Sequence, residues 1–459
     1  MHRVVIVGGG ISGLSTAYYL ARHGIGSTLI EQRGRLGGVI ETERIHGCVL
    51  EAGPDSFISQ KPWALQLIRE LGLDSDVIGS NDHLRVTYVL KNGRLVRLPD
   101  GLMLMIPTRI LPMAASSLLG WGTKIRMGME WFREPRNGAV PDRSVADFVA
   151  EHYGREAVDY LAEPLLAGVY GGDPDRLSVT SVLPRFVELE RKYGSLTKGV
   201  LHERRQAAKQ SQGLPLFQTL KGGLGQLVGA LTERSGPALE VLHGAAETVE
   251  RQAAGYRVRV NEEWVPADHV VLAAQAYQAG ALLGPVDDRL AALLMAIPYS
   301  NSITISLGYK RAGFRHRLNG FGFLVPKKER KLMMACTWVA TKFSDRVPGD
   351  KVVLRCFVGG EDAGSLSVSD EGLISRMRAE LRDVMGVTET PVFTRIARWP
   401  RSMAQYTVGH GDRVREIEAR LEQLPGLHLA GNAYHGIGIP DCVRMGKEVA
   451  DKIACSCAQ

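Results

Sequence analysis

Residues Val4-Val5-Ile6-Val7-Gly8-Gly9-Gly10-Ile11-Ser12-Gly13 describe a strand that runs straight into a glycine turn, and an acid follows at Glu31. This order describes a pocket for a dinucleotide pyrophosphate. Gly8 permits the tight turn out of the strand, Gly10 lets backbone approach the phosphates, and Gly13 lets the next helix pack closely on the sheet. The helix that starts near Ser12 aims its free N–H groups and positive dipole end at the two charges. Its apolar face (Leu14, Ala17, Tyr18, Leu20, Ala21) repeats at helical spacing, and Gly24 and Gly26 end it. A second strand, Ser27 to Ile30, delivers Glu31, whose carboxylate can accept from both ribose hydroxyls.

The residues after Glu31 favour FAD over NAD. Arg33-Gly34-Arg35-Leu36-Gly37-Gly38 sets a second glycine pair just after the ribose-binding acid, and Glu51-Ala52-Gly53-Pro54-Asp55-Ser56 adds a glycine-proline turn. A cofactor longer than NAD and buried end to end needs such extra close approaches of backbone. Each segment taken singly also reads as a surface turn.

Composition agrees with a multi-part enzyme. The chain has 459 residues, enough for two or three domains, and 45% hydrophobic with 23% charged content excludes a disordered chain. The net charge of +7 suits an acidic substrate or an anionic membrane surface. Nucleic acid is not expected, because no zinc-finger spacing, RNP-like strand or long Lys/Arg run is present. The six cysteines are scattered, with one close pair at Cys455 and Cys457, so neither a disulfide framework nor a metal site is indicated. The first strand begins at residue 3 or 4, which leaves no room for a signal peptide and predicts a reducing cytoplasm.

The middle is less regular. Leu84 to Leu98 alternate as a hairpin about Lys91-Asn92-Gly93. The apolar stretch from Leu102 to Trp121 is too interrupted to span a membrane and reads first as a buried helix. Trp121, Met127, Met129, Trp131 and Phe132 lie among Lys124, Arg126 and Arg133, so the region from Leu102 to Arg136 also suits an interfacial helix. Val145 to Leu201 is helical in pattern, broken by a shaped loop at Gly168-Val169-Tyr170-Gly171-Gly172-Asp173-Pro174. A strand pair is expected around Glu240–Glu250 and Gly255–Val260, a buried strand from Asp268 to Ala274, and a β-rich stretch at 303–359. At the end, Leu427 to Ala430 reads as a strand and 431–440 as a loop. Asp441 to Ile453 reads as a helix that Asp441 can cap. Its N-terminus would face the cofactor, where it favours negative charge on a reduced flavin.

These segments carry a resemblance over essentially the whole length. With VVIVGGGISGLSTAYYL, RLGGVIET, GCVLEAGPDSF, LAGVYGGDPDRLS, GFGFLVPKKE and LAGNAYHGIGIPDCVRMGK, the chain resembles the oxygen-dependent, FAD-containing protoporphyrinogen oxidases, including bacterial relatives that oxidise coproporphyrinogen III. The first motif is shared with all FAD amine oxidase-like proteins; GVYGGDP and GNAYHGIGIPDC are narrower. Val39 stands where the wider superfamily often has Arg, a departure that points toward the porphyrinogen oxidases.

The resemblance implies an α/β fold: a discontinuous Rossmann-like FAD-binding domain (1–84, 220–284, 395–459), a mixed-sheet α+β substrate domain (85–100, 191–219, 285–394) and a helical, membrane-associating domain (101–190). It implies FAD held by Gly8, Gly10, Ile11, Ser12 and Gly13 at the pyrophosphate and by Glu31 with Gln32 at the ribose. Gly38, Gly53, Pro54, Asp55 and Ser56 would line its middle, and the backbone of Val249 would meet the adenine. Trp399, Gly438, Ile439 and Pro440 would sit at the isoalloxazine end. Arg85 aligns with a base that pairs with a substrate propionate, and Gly168 and Phe343 would meet the macrocycle. Arg85 also reads as an exposed strand arginine and Phe343 as core.

The implied chemistry takes six electrons from a porphyrinogen in three two-electron cycles, with dioxygen as acceptor and peroxide as product. No catalytic base is named: His410 and His435 lie near the right segments, but a lone His more often packs or caps. Expected partners are the porphyrinogen and dioxygen, with peripheral membrane contact, a homodimer and hand-over to a chelatase open. Two other readings stand beside this one: an amine oxidase or carotenoid desaturase, and a non-catalytic flavin-bound scaffold. Protoporphyrinogen IX and coproporphyrinogen III differ in two side chains, so the number of cations around the cleft decides between them.

Overall fold

In the computed structural model, which describes residues 3–135, 138, 141–207, 214–360 and 363–458, Val4–Val7 forms β1 at the centre of a five-stranded sheet. The order is Leu239–His243, β2 (Ser27–Glu31), β1, His269–Leu272, Leu427–Leu429, and every pairing is parallel. All four residues of β1 are buried, as a central parallel strand covered on both faces requires. The helix α1 (Ile11–Arg22) is buried over most of its circumference. It packs against both the helix Gly225–Ser235 and the C-terminal helix Ile439–Cys457. The chain leaves β1 for β2 on one side, and His269–Leu272 lies on the other. The sheet therefore reverses its strand order at the C-terminal end of β1, the place where open α/β sheets bind ligands.

This sheet belongs to one of two units, made of residues 1–79, 216–298 and 412–459. The unit also holds a three-stranded antiparallel meander, Ala246–Arg251, Tyr256–Val260 and Glu263–Ala267. The expected strand pair over Glu240–Glu250 is corrected here. Leu239–His243 is an edge of the parallel sheet, and a separate strand begins at Ala246. Gly244 divides them, where a Cβ would press on the Asn261 side chain.

The other unit comprises residues 80–215 and 299–411. Its seven-stranded sheet runs Phe393–Ala404, Tyr299–Lys310, Lys351–Gly360, Ala335–Trp338, Gly322–Leu324, Thr87–Lys91, Arg94–Arg97. It is mixed, with one parallel contact between Gly322–Leu324 and Thr87–Lys91. Ile303, Ile305, Leu354 and Val358 share one core with Leu373, Met377 and Leu381 of the helix Asp370–Met385. The hairpin at Thr87–Lys91 and Arg94–Arg97 forms as the alternation requires, with Asn92 and Gly93 both at positive φ in its turn.

Two helical expectations are revised. Leu102 to Trp121 is not a buried helix. It is a two-residue-per-strand hairpin (Leu102–Met103 with Ile106–Pro107), a short helix Ile110–Ala115, and then the start of the helix Trp121–Met129. Ile110 and Leu111 are 85% and 82% exposed, and Trp121, Ile125, Met129 and Phe132 are exposed as well. Arg136, the end of that basic stretch, lies outside the described residues. Likewise Gly168, Val169 and Tyr170 are not loop but the last turn of the helix Glu163–Tyr170. The turn ends only at Gly171, whose φ of +59° makes a left-handed cap.

A buried ionic cluster organises these helices. His152 Nδ1 lies 3.1 Å from Glu130 Oε1 and Nε2 lies 3.1 Å from Glu190 Oε1. Glu130 also accepts from Ser195 Oγ at 2.8 Å and Leu196 N–H at 2.5 Å; Arg143 donates to Glu190 at 2.7 Å. Burial alone would raise the Glu190 carboxyl. The His152 hydrogen bond and the Arg143 charge outweigh it and hold the group down at about 2. A carboxyl held below its ordinary value contributes stability at neutral pH that is lost as pH falls through that window, here from about 4.5 to about 2. Glu190→Gln should therefore destabilise the protein at pH 7 by about 3 kcal/mol, because it breaks a buried charged network, and should flatten the acid limb of a stability-against-pH curve. Denaturant melts monitored by tryptophan fluorescence check both effects.

Candidate functional site

The site grows from the end of β1. Gly8 has φ +109°, and its N–H donates to Ile30 O at 2.9 Å, which turns the chain over the sheet. A Cβ at Gly13 would overlap the Gly8 carbonyl oxygen, so α1 could not sit where it does with any other residue there. Gly446 of the C-terminal helix approaches α1 in the same way, a Cβ there falling 2.7 Å from Ser12 O. At Gly10 the situation is reversed: a Cβ would meet nothing within 4 Å. Gly10 is also the N-cap of α1, where it offers no side chain to satisfy the helix start. Open space against unsatisfied helix N–H groups is a cradle for an anion.

Glu31 is buried at the end of β2. Its Oε2 accepts from Gly9 N–H and its Oε1 from Arg33 N–H, each at 2.8 Å. One backbone donor per oxygen leaves acceptor capacity on both for ribose hydroxyls. Gln32 beside it is exposed. The second glycine pair folds back onto the first: Gly37 N–H donates to Gly9 O at 2.8 Å, and a Cβ at Gly38 would come 3.1 Å from Gly10 Cα. Arg35, whose role the sequence left open, holds this loop by donating to the carbonyls of Gly38 (2.8 Å) and Ile40 (3.2 Å) and to Glu41 (2.9 Å). Gly53 packs against the Val39 carbonyl, and Gly53, Pro54, Asp55 and Ser56 are half-buried beside it.

The C-terminal helix begins at Ile439, two residues ahead of expectation, with Gly438 as its cap and Pro440 in its first turn. Asp441 is thus not the cap residue but lies one turn in. It accepts from Gly438 N–H at 3.3 Å and binds Lys61 Nζ at 2.6–2.8 Å. Lys61 carried no sequence signal, since a lone lysine before a helix has no motif. Val249 is fully buried on the outer strand of the three-stranded meander, where one edge of its backbone has no strand partner among the described residues. His435 bonds Glu418 at 2.7 Å and is exposed.

In the other unit, Trp399 lies buried on the strand Phe393–Ala404, beside a register shift between Ser300 and Ser302. Gln405 comes directly after that strand. Its Nε2 donates to Tyr170 O at 2.7 Å and Ser300 Oγ at 2.9 Å, tying the end of the Gly168 helix to it. At the base of that helix, Glu163 accepts from Lys327 N–H at 2.9 Å and Arg330 at 2.6 Å. Arg85 stands exposed before Thr87–Lys91, 3.7 Å from Asp82. Phe343 is 2% exposed and so packs as core. Asn81 brings the segments of Arg85 and Phe343 together: its N–H donates to Lys342 O and its Nδ2 to Thr341 O, both at 3.0 Å. His410 stacks on Tyr406, with ring centroids 4.0 Å apart.

A profile of the flavin-containing amine oxidoreductases matches residues 11–454, so the chain belongs to that family, and its cofactor is FAD. Over 464 residues it is 34% identical to the coproporphyrinogen III oxidase of Bacillus subtilis, covering 97% of this chain and 96% of the relative. The coproporphyrinogen III oxidase of Staphylococcus aureus is 30% identical over 462 residues, 98% of each chain. A crystal structure assigned as a protoporphyrinogen oxidase from Exiguobacterium sp. 255-15 superposes with a TM-score of 0.88 at 31% identity, covering 99% of both chains.

The residues present fit FAD: the space over Gly10 and the half-satisfied Glu31 are what a pyrophosphate and a ribose need. The two glycines should then separate by substitution. Gly10→Ala should fold with near-native stability and lose FAD during purification, whereas Gly13→Ala should be destabilised by at least ~2 kcal/mol, the scale of overpacking against backbone. Absorbance of bound flavin and thermal melts of the apoprotein separate the two effects. A Gly10→Ala protein that keeps stoichiometric FAD would remove the space over Gly10 from the cofactor's path.

Proposed function

We propose that the chain oxidises coproporphyrinogen III to its porphyrin in haem biosynthesis, six electrons leaving in three pairs, with dioxygen as acceptor and peroxide as product. The observation that carries this is the near full-length match, at 30–34% identity, to bacterial relatives that bear that enzyme's name. When bound, FAD would supply the hydride acceptor, and the carbon–hydrogen bond to be broken needs little from the protein beyond placement.

The protein's part is then holding and shielding. Gly8, Gly10, Ile11, Ser12 and Gly13 hold the pyrophosphate; Glu31, with Gln32, holds the ribose; the Val249 backbone meets the adenine. Gly38 and the turn Gly53, Pro54, Asp55, Ser56 line the middle, and Trp399, Gly438, Ile439 and Pro440 border the isoalloxazine. The helix start at Ile439 favours negative charge there. Gly168 forms part of the macrocycle's wall, Phe343 supports that wall from within the core, and Arg85 takes a propionate. Residues 101–190 form a helical domain, 85–100, 191–219 and 285–394 the substrate domain, and the remainder the FAD domain.

Among the described residues no helix is long and apolar enough to cross a membrane. The exposed Ile110, Leu111, Trp121 and Ile125 beside Lys124 and Arg126 support peripheral contact with the inner face of a cell membrane, in a cytoplasmic enzyme. Dimerisation and hand-over of the porphyrin to a chelatase belong to the same reading and rest on the resemblance alone.

Anaerobic stopped-flow on the yellow holoprotein tests the reading. Flavin bleaching should be fast with coproporphyrinogen III, slower with protoporphyrinogen IX, and absent with putrescine. Bleaching by the amine alone would replace this function with amine oxidation; bleaching by neither porphyrinogen would overturn it.

A further inference from the structure

The run Phe314-Arg315-His316-Arg317-Leu318 connects the strands Tyr299–Lys310 and Gly322–Leu324. Phe314 and Leu318 are buried, so the loop is pinned at both ends of the charged tripeptide, while Arg315 and Arg317 are exposed. Neither arginine makes an ion pair or a side-chain hydrogen bond among the described residues. Elsewhere in the same unit Arg133, Arg143, Arg155, Arg185, Arg330 and Arg398 all face carboxylates.

The loop is fastened to the two segments that carry Arg85 and Phe343. Phe321 N–H donates to Val86 O at 2.8 Å, and the Tyr88 hydroxyl donates to Asn319 O at 3.4 Å, which lays the loop along the strand just beyond Arg85. Thr341 Oγ1 donates to Leu318 O at 3.1 Å, which sets it against the Phe343 segment. With Asn81 joining those two segments, Arg85, Arg315, Arg317 and Lys342 stand on one cluster whose acids are Asp82 and Asp345. Asp82 is already engaged with Arg85. The surplus is positive, and two of its guanidinium groups have their full donor sets free for a carboxylate.

We propose that Arg315 and Arg317 form, with Arg85, an anion-binding rim that takes the carboxylates of the porphyrinogen and favours a tetracarboxylate over a dicarboxylate. This rests on the porphyrinogen reading and adds the residues that set its specificity. Free exposed cations act over a Debye length of about 8 Å at physiological salt, so the rim both steers the substrate and retains it.

The test is steady-state kinetics of the holoenzyme with Arg315→Gln/Arg317→Gln, at low and high salt, on coproporphyrinogen III and protoporphyrinogen IX. Arg191→Gln, at an exposed position on another helix, serves as control, with FAD content and thermal midpoint recorded for all. The double variant should lose about tenfold in kcat/KM for the tetracarboxylate, the size of two solvated charge contacts, almost all of it in KM. The dicarboxylate should lose less, and the salt dependence should shrink. Equal losses on both substrates, or an unchanged salt dependence with unchanged KM, would overturn the rim. Absence of turnover by the unaltered enzyme on either substrate would overturn the porphyrinogen reading, and the rim with it.

Discussion

Everything in the nucleotide-binding unit depends on how closely α1 can approach the sheet and the C-terminal helix. Two contacts set that distance, Gly13 against the Gly8 carbonyl and Gly446 against the Ser12 carbonyl. Neither leaves room for a side chain. Because α1 is pressed inward at both points, its N-terminus opens directly over the end of β1. Gly10, at that mouth, has empty space where its neighbours have none. The same drawing-in brings the second glycine pair onto the first through Gly37 and Gly9. Backbone rather than side chains thus builds the cradle, which suits a ligand whose central charges are best met by N–H groups and a helix dipole.

That part of the molecule was legible in the sequence because its constraints are local. Strand, glycines, helix and acid lie within about thirty residues of one another, and each residue type has a single steric or electrostatic reason to be there. The hairpin around Asn92 and Gly93 was legible for the same reason. Failures came where tertiary context overrides local pattern. The apolar run at Leu102–Trp121 looks buried by composition, yet Ile110 and Leu111 face outward, because Pro107 and Pro112 cut the run into pieces too short to bury a continuous face. Gly168 looked like the start of a loop, but Leu324 lies close enough to cover a glycine within the helix, and the chain turns only at the left-handed Gly171. Lys61, Asn81 and Gln405 gave no signal, since each acts on partners more than two hundred residues away in sequence.

The second unit holds its helices by charge as well as by apolar burial. Glu130, His152, Glu190 and Arg143 sit where a helical bundle would ordinarily place leucine. Such a network adds little net stability over a hydrophobic replacement, but it cannot be satisfied in another register. It pins Ser195 and Leu196 to Glu130 and so fixes the start of the next helix. The Gly168 helix is treated similarly, held at its base by Glu163 with Arg330 and at its tip by Gln405. Burial raises the Glu163 carboxyl even against the Arg330 charge. A wall meant to meet a large flat substrate benefits from being fixed at both ends by directional bonds, which apolar contacts alone do not supply.

The net charge of +7 acquires a location from this arrangement. Acids and bases of the interior cancel in pairs, so the surplus must reside on the surface, and part of it stands unpaired at Arg315 and Arg317. A folded chain has no structural use for exposed arginines without partners, and their desolvation is avoided by leaving them wet. Pinning them on a loop between two buried side chains is a different matter, because it holds the charges at fixed positions instead of letting them wander with a flexible segment. Fixed, solvated and unpaired cations are poor contributors to stability and good receptors for an anion that arrives with its own carboxylates spaced around a ring. The apolar body of such an anion would be met by the wall around Gly168, and its charges by the rim. Recognition would thus divide between two parts of one unit, while the cradle beneath β1 serves the cofactor.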